Sequence, residues 1–261
     1  MSIRSTAVAG MFYPSDPGEL QANLEALLQH ANTHQNQPKA MIVPHAGYIY
    51  SGSVAASAYA GFYNRRQTVS RIVLLGPAHR VGFNGIAASS ADYFATPLAR
   101  IAVDHTSLQP SIDNAAIKYF DLVHEKEHCL EVQLPFLQQI FNSPFQIIPL
   151  VVGKTDASQV ADVLRMLWGG PETLIVISSD LSHYYDYETA RQLDRHTTSL
   201  IEQFQEADLN AESACGRIPI QGLLKVAKEV GLHCKTLDLR NSGDTAGSRD
   251  RVVGYGAYIF Y

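Results

Sequence analysis

The sequence predicts an α/β protein with three layers, α/β/α, around a mixed, mainly parallel central sheet. Three observations predict it. Continuous Val/Ile/Leu runs at 40–43, 71–75 and 173–177 read as strands buried on both faces. Segments with apolar residues at helical spacing alternate with them. The chain has 261 residues, 46% hydrophobic and 17% charged, enough for one large core and too apolar for disorder.

Asp16-Pro17-Gly18-Glu19 opens an amphipathic helix to about residue 30, with Leu20, Leu24, Leu27 and Leu28 on one face. A polar connection at 33–38, too short to separate domains, leads to a strand ending at His45. Ser51-Gly52-Ser53 starts a small-residue helix from 54 to about 63, and the next strand ends at His79. Residues 85–104 read as shorter strands broken by Thr96-Pro97, a hairpin-like excursion. A helix is expected over 127–141, with Pro135 kinking it or marking its true start. A strand at 145–152, a helix at 157–168 and a strand at 173–177 follow, the last leading to Asp180 and His183. Helices near 187–205 and 218–230, a strand near 233–239 and a final strand at 252–260 complete the chain, the hairpin and C-terminal strands being the antiparallel part. With no repeat, low-complexity tract or linker, residues 1–261 are read as one domain.

A net charge of −5 gives no basic character, which argues against nucleic acid as a partner. No apolar run reaches the roughly 18–20 residues of a membrane span, and the start lacks the apolar stretch of a signal peptide. A cytoplasmic protein is expected, with Cys129, Cys215 and Cys234 as free thiols.

Three strand-like runs end in histidine-bearing tips: Pro44-His45-Ala46-Gly47-Tyr48, Gly76-Pro77-Ala78-His79 and Ser178-Ser179-Asp180-Leu181-Ser182-His183. In open α/β sheets ligands sit beyond the carboxyl ends of the strands, so these tips predict a shared metal or acid–base site. A lone strand-end histidine is more often a surface or capping residue; two with the same strand–Pro–His grammar favour a site. Asp180 is read as a metal ligand or as the partner that fixes a His183 tautomer, with capping of the next helix by Asp180 or Ser182 as the structural alternative. His124-Glu125-Lys126-Glu127-His128 satisfies HExxH, but the helix is expected to begin inside it, so it is not read as a zincin motif. If that helix starts near Glu127, His128 and Glu131 share a face and serve the site together; otherwise they are a solvated helix end. Gly153-Lys154-Thr155 suggests a P-loop, but Ile148 stands where its first glycine belongs. No GxSxG elbow is present.

Together with Ala9-Gly10-Met11-Phe12-Tyr13-Pro14, Glu127-His128-Cys129-Leu130-Glu131-Val132-Gln133-Leu134-Pro135 and Val253-Gly254-Tyr255, these stretches resemble the Memo family, in order and over nearly the whole chain. Bacterial members carry the label AmmeMemoRadiSam system protein B. The family is similar in fold to class III extradiol ring-cleaving dioxygenases, which hold non-haem Fe(II) with two histidines and a carboxylate. The resemblance implies His45 and His79 as metal ligands and His183 as the third site histidine and acid–base group. Asp180 would be a ligating or neighbouring carboxylate, and His128 and Glu131 would support from behind. It implies Fe(II), with Zn or Cu as alternatives. Animal members place a metal-site cysteine in the segment matching Asn241-Ser242-Gly243-Asp244; here Asp244 is the candidate oxygen ligand in its place. Cys215, in Cys215-Gly216-Arg217-Ile218-Pro219, is family-like and carries no role that the sequence argues.

Two functions follow as expectations. One is oxygen or redox chemistry on a small-molecule substrate, with His183 moving a proton. The other is a non-catalytic module that holds a peptide or protein in the same cleft, lined by Tyr13, Tyr48, Tyr50, Tyr184 and Tyr185. A metal-dependent hydrolase is a third and weaker reading. The bacterial label implies Amme-type and radical SAM proteins as partners.

Overall fold

Alternate residues of the central strands face opposite ways, and each set meets its own layer of helices. Met41, Val43, Ile72, Leu74, Leu174 and Val176 pack with Leu20, Leu24, Val54 and Leu134 on one side. Ala40, Ile42, Val73, Leu75, Ile175 and Ile177 pack with Val160, Leu164, Leu223 and Ile201 on the other. This period of two, with both sets apolar, is why the strands read as continuous hydrophobic runs. The computed structural model describes residues 1–32, 36–65, 67–141 and 143–261; residues 33–35 of the polar connection lie outside it.

Among the described residues, the strands form one mixed sheet of twelve. Its main path runs Ile3–Arg4, Tyr93–Ala95, Arg100–Val103, Gln146–Val152, Arg71–Pro77, Thr173–Ser178, Ala40–Val43, Val252–Phe260 and His183–Tyr185. From Arg100–Val103 to Ala40–Val43 every pairing is parallel. Val252–Phe260 then runs antiparallel to Ala40–Val43, Cys234–Asn241 and His183–Tyr185. Parallel direction brings the carboxyl ends of the central strands, and the tips that follow them, to one edge.

The helices Pro17–Gln29, Ala157–Leu167, Tyr187–Glu202 and Arg217–Glu229 lie within a few residues of their expected spans. The helix after His45 begins earlier than expected, at Tyr48, since Gly47 already serves as its N-cap. The hairpin-like excursion holds one hairpin, Tyr93–Ala95 with Arg100–Val103, while Ile86–Ala88 pairs antiparallel with Gln146–Val152.

The helix expected over 127–141 is corrected most. Residues 127–130 are not helical; a turn of 3₁₀ helix covers Glu131–Gln133 and the α-helix is Leu134–Ile140. Pro135 therefore marks the start, where its missing N–H is harmless. Neither Asp180 nor Ser182 caps the next helix: Asp186 does, accepting from the Thr189 amide.

Candidate metal centre

His45 and His79 sit just beyond the carboxyl ends of Ala40–Val43 and Arg71–Pro77, and His128 reaches them from the non-helical segment before Glu131. Ring centroids are 5.1 Å apart for His45 and His79, 5.4 Å for His45 and His128, and 4.6 Å for His79 and His128. One ring nitrogen of each lies within 4.8 Å of the other two. The rings line a cleft of about 860 Å³ shared with Asp180, His183 and Arg251.

The hydrogen bonds behind the rings fix which nitrogen carries the proton. Gln133 Nε2 donates to the Pro44 carbonyl, 2.8 Å, and to Ser178 Oγ, 2.9 Å. Ser178 Oγ spends its own proton on the Cys129 carbonyl, 2.6 Å. Its remaining lone pair must accept from His45 Nδ1, 3.0 Å away. Neutral His45 therefore carries its proton on Nδ1 and keeps a lone pair on Nε2. Burial, then the neighbouring His79 and His128, holds its pKa well below the ordinary value, so it stays neutral. His79 Nδ1 donates to Glu127 Oε1, 2.9 Å, and its backbone amide to Oε2, 2.7 Å. His183 Nδ1 donates to the Leu181 carbonyl, 2.8 Å. All three leave Nε2 without a proton, the arrangement of metal-binding imidazoles, with the Cys215 thiol at 3.4 Å as the neighbour of the His45 Nε2.

Glu127 is the member of this site that sequence reading missed. Its carboxylate also accepts from the backbone amides of His128, 3.0 Å, and Cys129, 3.3 Å. Burial alone would raise its pKa; the adjacent His128 and His79 imidazoles and the His79 amide outweigh that and hold it far below the carboxylate range. Its place in the dense polar cluster beside His128 was the available signal. His128 Nδ1 lies 3.2 Å from the same carboxylate oxygen, off the line that a hydrogen bond needs.

The structure brings together His45, His79 and His128, where the sequence had put His128 behind the others. The two histidines of HExxH part company: His124 is buried, its Nε2 3.1 Å from the Ala87 carbonyl, while His128 faces the cleft. Asp180 makes its direct contact with His45. It accepts from the His45 amide at 2.7 Å, its Oδ2 is 4.0 Å from His45 Nε2, and burial raises its pKa. His183 lines the cleft on the far strand, outside the close group of three. Asp244 is taken elsewhere: it closes a capping box on the Asn241 amide, 3.0 Å, and accepts from Tyr187 Oη, 2.5 Å, away from the cleft wall.

Glu131 does not touch the imidazoles. It accepts from the amides of Ala7, 2.7 Å, and Val8, 3.0 Å, from Tyr13 Oη and from Arg4. Cys215, unassigned by the sequence, sits with Sγ 3.4 Å from His45 Nε2, its thiol pushed up to about 12 by burial and by Asp180. A second group, His79, Glu127 and Cys129, also lies within 4.8 Å. It fits a metal less well, because N–H donors already occupy Glu127 and burial keeps the Cys129 thiol protonated.

A family model described as Memo-like protein matches residues 4–259. A MEMO1 family protein of Aquifex aeolicus is 36% identical over the whole of both chains. One of Methanosarcina mazei is 34% identical over 99% of each, and one of Aeropyrum pernix 36% identical over 98% of this chain and 99% of its own. A crystal structure of an uncharacterized protein, JW3007, from Escherichia coli K12 shares the fold with a TM-score of 0.55. It is 10% identical and covers 84% of this chain and 98% of that one. The family match and these full-length relatives place the chain in the Memo family.

Proposed function

We propose that the cleft is a non-haem metal site, held by His45, His79 and His128, that carries oxygen or redox chemistry on a small molecule. The observation that carries it is the set of three neighbouring imidazoles, with Ser178 and Glu127 taking the Nδ1 protons of His45 and His79 so that their Nε2 lone pairs are the ones available to a metal. Neutral imidazole suits iron, zinc and copper; ferrous iron is the ion that the dioxygenase-like resemblance favours. Such an ion supplies Lewis acidity and open positions for substrate.

The remaining chemistry belongs to the side chains. Ser178 and Glu127 hold His45 and His79 each in one tautomer. His183, anchored through Nδ1, presents Nε2 to the cleft, where it takes a proton from substrate and returns it. Asp180, close to His45, offsets positive charge that gathers there. Met11, Ile49 and Tyr184, 71%, 73% and 64% exposed, give the mouth an apolar rim suited to an organic substrate. Protein purified anaerobically without a tag and reconstituted with Fe(II) is expected to hold near-stoichiometric metal, and His79→Ala to lose it. Unchanged stoichiometry in the variant overturns the assignment.

The same apolar rim favours a second reading, a module that docks a peptide or a partner such as the Amme-type and radical SAM proteins. A native pull-down that returns no stoichiometric partner counts against it.

A further inference from the structure

Two sequence motifs have no part in the histidine cleft, Gly153-Lys154-Thr155 and Gly216-Arg217-Ile218-Pro219. They meet at a second cavity, of about 530 Å³, on the same carboxyl edge of the sheet, beside the ends of Arg71–Pro77 and Gln146–Val152. Cys215 lines both this cavity and the histidine cleft, and Ala78 here adjoins His79 there.

The charged residues in its wall are both cations, Lys154 and Arg217. Among the described residues, neither has a carboxylate within ion-pair distance, and the cavity wall itself holds no carboxylate. Two unpaired cations in one concave wall concentrate positive potential there. Their backbones are fixed. The Lys154 amide donates to the Phe83 carbonyl, 2.8 Å, and its carbonyl accepts from Gly85, 3.0 Å. The Gly216 amide donates to Ser179 Oγ, 2.9 Å. Both glycines are needed for this approach: a Cβ at Gly216 would stand 2.6 Å from Ser179 Cβ, and one at Gly153 would collide with the Phe83 carbonyl. The helix Arg217–Glu229 also starts here with no side-chain cap, adding its positive end.

We propose that this cavity is an oxyanion site, which takes a carboxylate or phosphate group in the fork of Arg217 with Lys154 as a second point charge. The anion is either free or the end-group of the molecule that meets the imidazoles past Cys215. The end-group version rests on the function proposed above, whereas the oxyanion site does not.

The test is an NMR titration of the full-length, metal-free protein with inorganic phosphate and, separately, with 4-hydroxybenzoate. Phosphate is expected to shift the amides of Lys154, Gly216 and Arg217 saturably. Arg217→Ala is expected to weaken that binding by roughly tenfold or more, and Arg217→Lys to restore part of it. His79→Ala should leave it unchanged, which separates this site from the metal reading. If 4-hydroxybenzoate competes with phosphate and also shifts the His45 and His79 ring signals, the anion is a substrate's end-group. If it competes and leaves the rings unmoved, the site serves a free oxyanion. Shifts that do not saturate, or that survive in folded Lys154→Ala/Arg217→Ala, overturn the proposal.

Discussion

Residues 124–131 carry two buried carboxylates and two histidines, and the segment divides by side. His128 faces the cleft, and Glu127 stands directly behind its wall, where it grips His79 and the amide of His128. His124 and Glu131 face inward, where Glu131 meets Arg4 and the amides of Ala7 and Val8. Arg4 then ties the two sides together by donating to the carbonyls of His124, 2.9 Å, and Glu127, 2.5 Å. Glu127 and Glu131 are 2% and 1% exposed, so burial does not distinguish their tasks; their partners do. Glu127 orients an imidazole, whereas Glu131 anchors the amino-terminal segment against the loop that presents His128.

The largest expected effect falls on the inward side. Arg4→Ala leaves Glu131 with a buried charge short of its main cation and is expected to lower stability by about 3–5 kcal/mol in urea unfolding. A loss no greater than that of a surface substitution would break the division. Next is a pH effect at His124. Burial lowers its pKa from 6.5 to about 4. The unfolded chain therefore takes up a proton that the folded one refuses. Its contribution to stability is intact above about pH 6.5 and falls away as the pH drops towards 4, a change of about 3 kcal/mol. Unfolding midpoints of His124→Gln should show a flatter slope over that window; an unchanged slope would place the titration elsewhere.

Glu127→Gln sharpens the other side. The amide still accepts hydrogen bonds but loses the charge that faces the His79 imidazole. Metal affinity is expected to fall about 10–100-fold, with a smaller stability loss than Arg4→Ala, as read by calorimetric titration beside unfolding curves. The smallest effect belongs to Asp244→Ala, which removes half of a capping box at an exposed turn. A loss of about 1 kcal/mol with unchanged metal stoichiometry is expected. Loss of metal in this variant would return Asp244 to the ligand set.

Much of the scaffold was legible because its strands are apolar on both faces and its long helices are amphipathic. Leu20, Leu24 and Leu28 define the first helix from sequence as clearly as in the structure. Less was legible where polar residues face inward. The short helix His105–Asp113 holds Pro110 and little apolar periodicity, and it was not anticipated. The strand His183–Tyr185 is three residues long and is defined by its pairing with Val252 and Val253, which local sequence does not reveal. The strand-end positions of His45 and His79 followed from their Pro-bearing tips. The helix expected over His128 does not form there; the chain instead stays open from Glu127 to Leu130, held by Glu127 and Arg4, and this brings the His128 ring beside His45 and His79. Cys215 reaches His45 from 170 residues away, a proximity that no spacing rule encodes.

The most direct test of the account is the metal stoichiometry of His128→Ala, measured by elemental analysis after anaerobic Fe(II) reconstitution, beside wild type and His183→Ala. If His45, His79 and His128 form the donor set, His128→Ala loses the metal while His183→Ala keeps it. Full loading of folded His128→Ala, with loss in His183→Ala, would contradict the account and return the third position to His183.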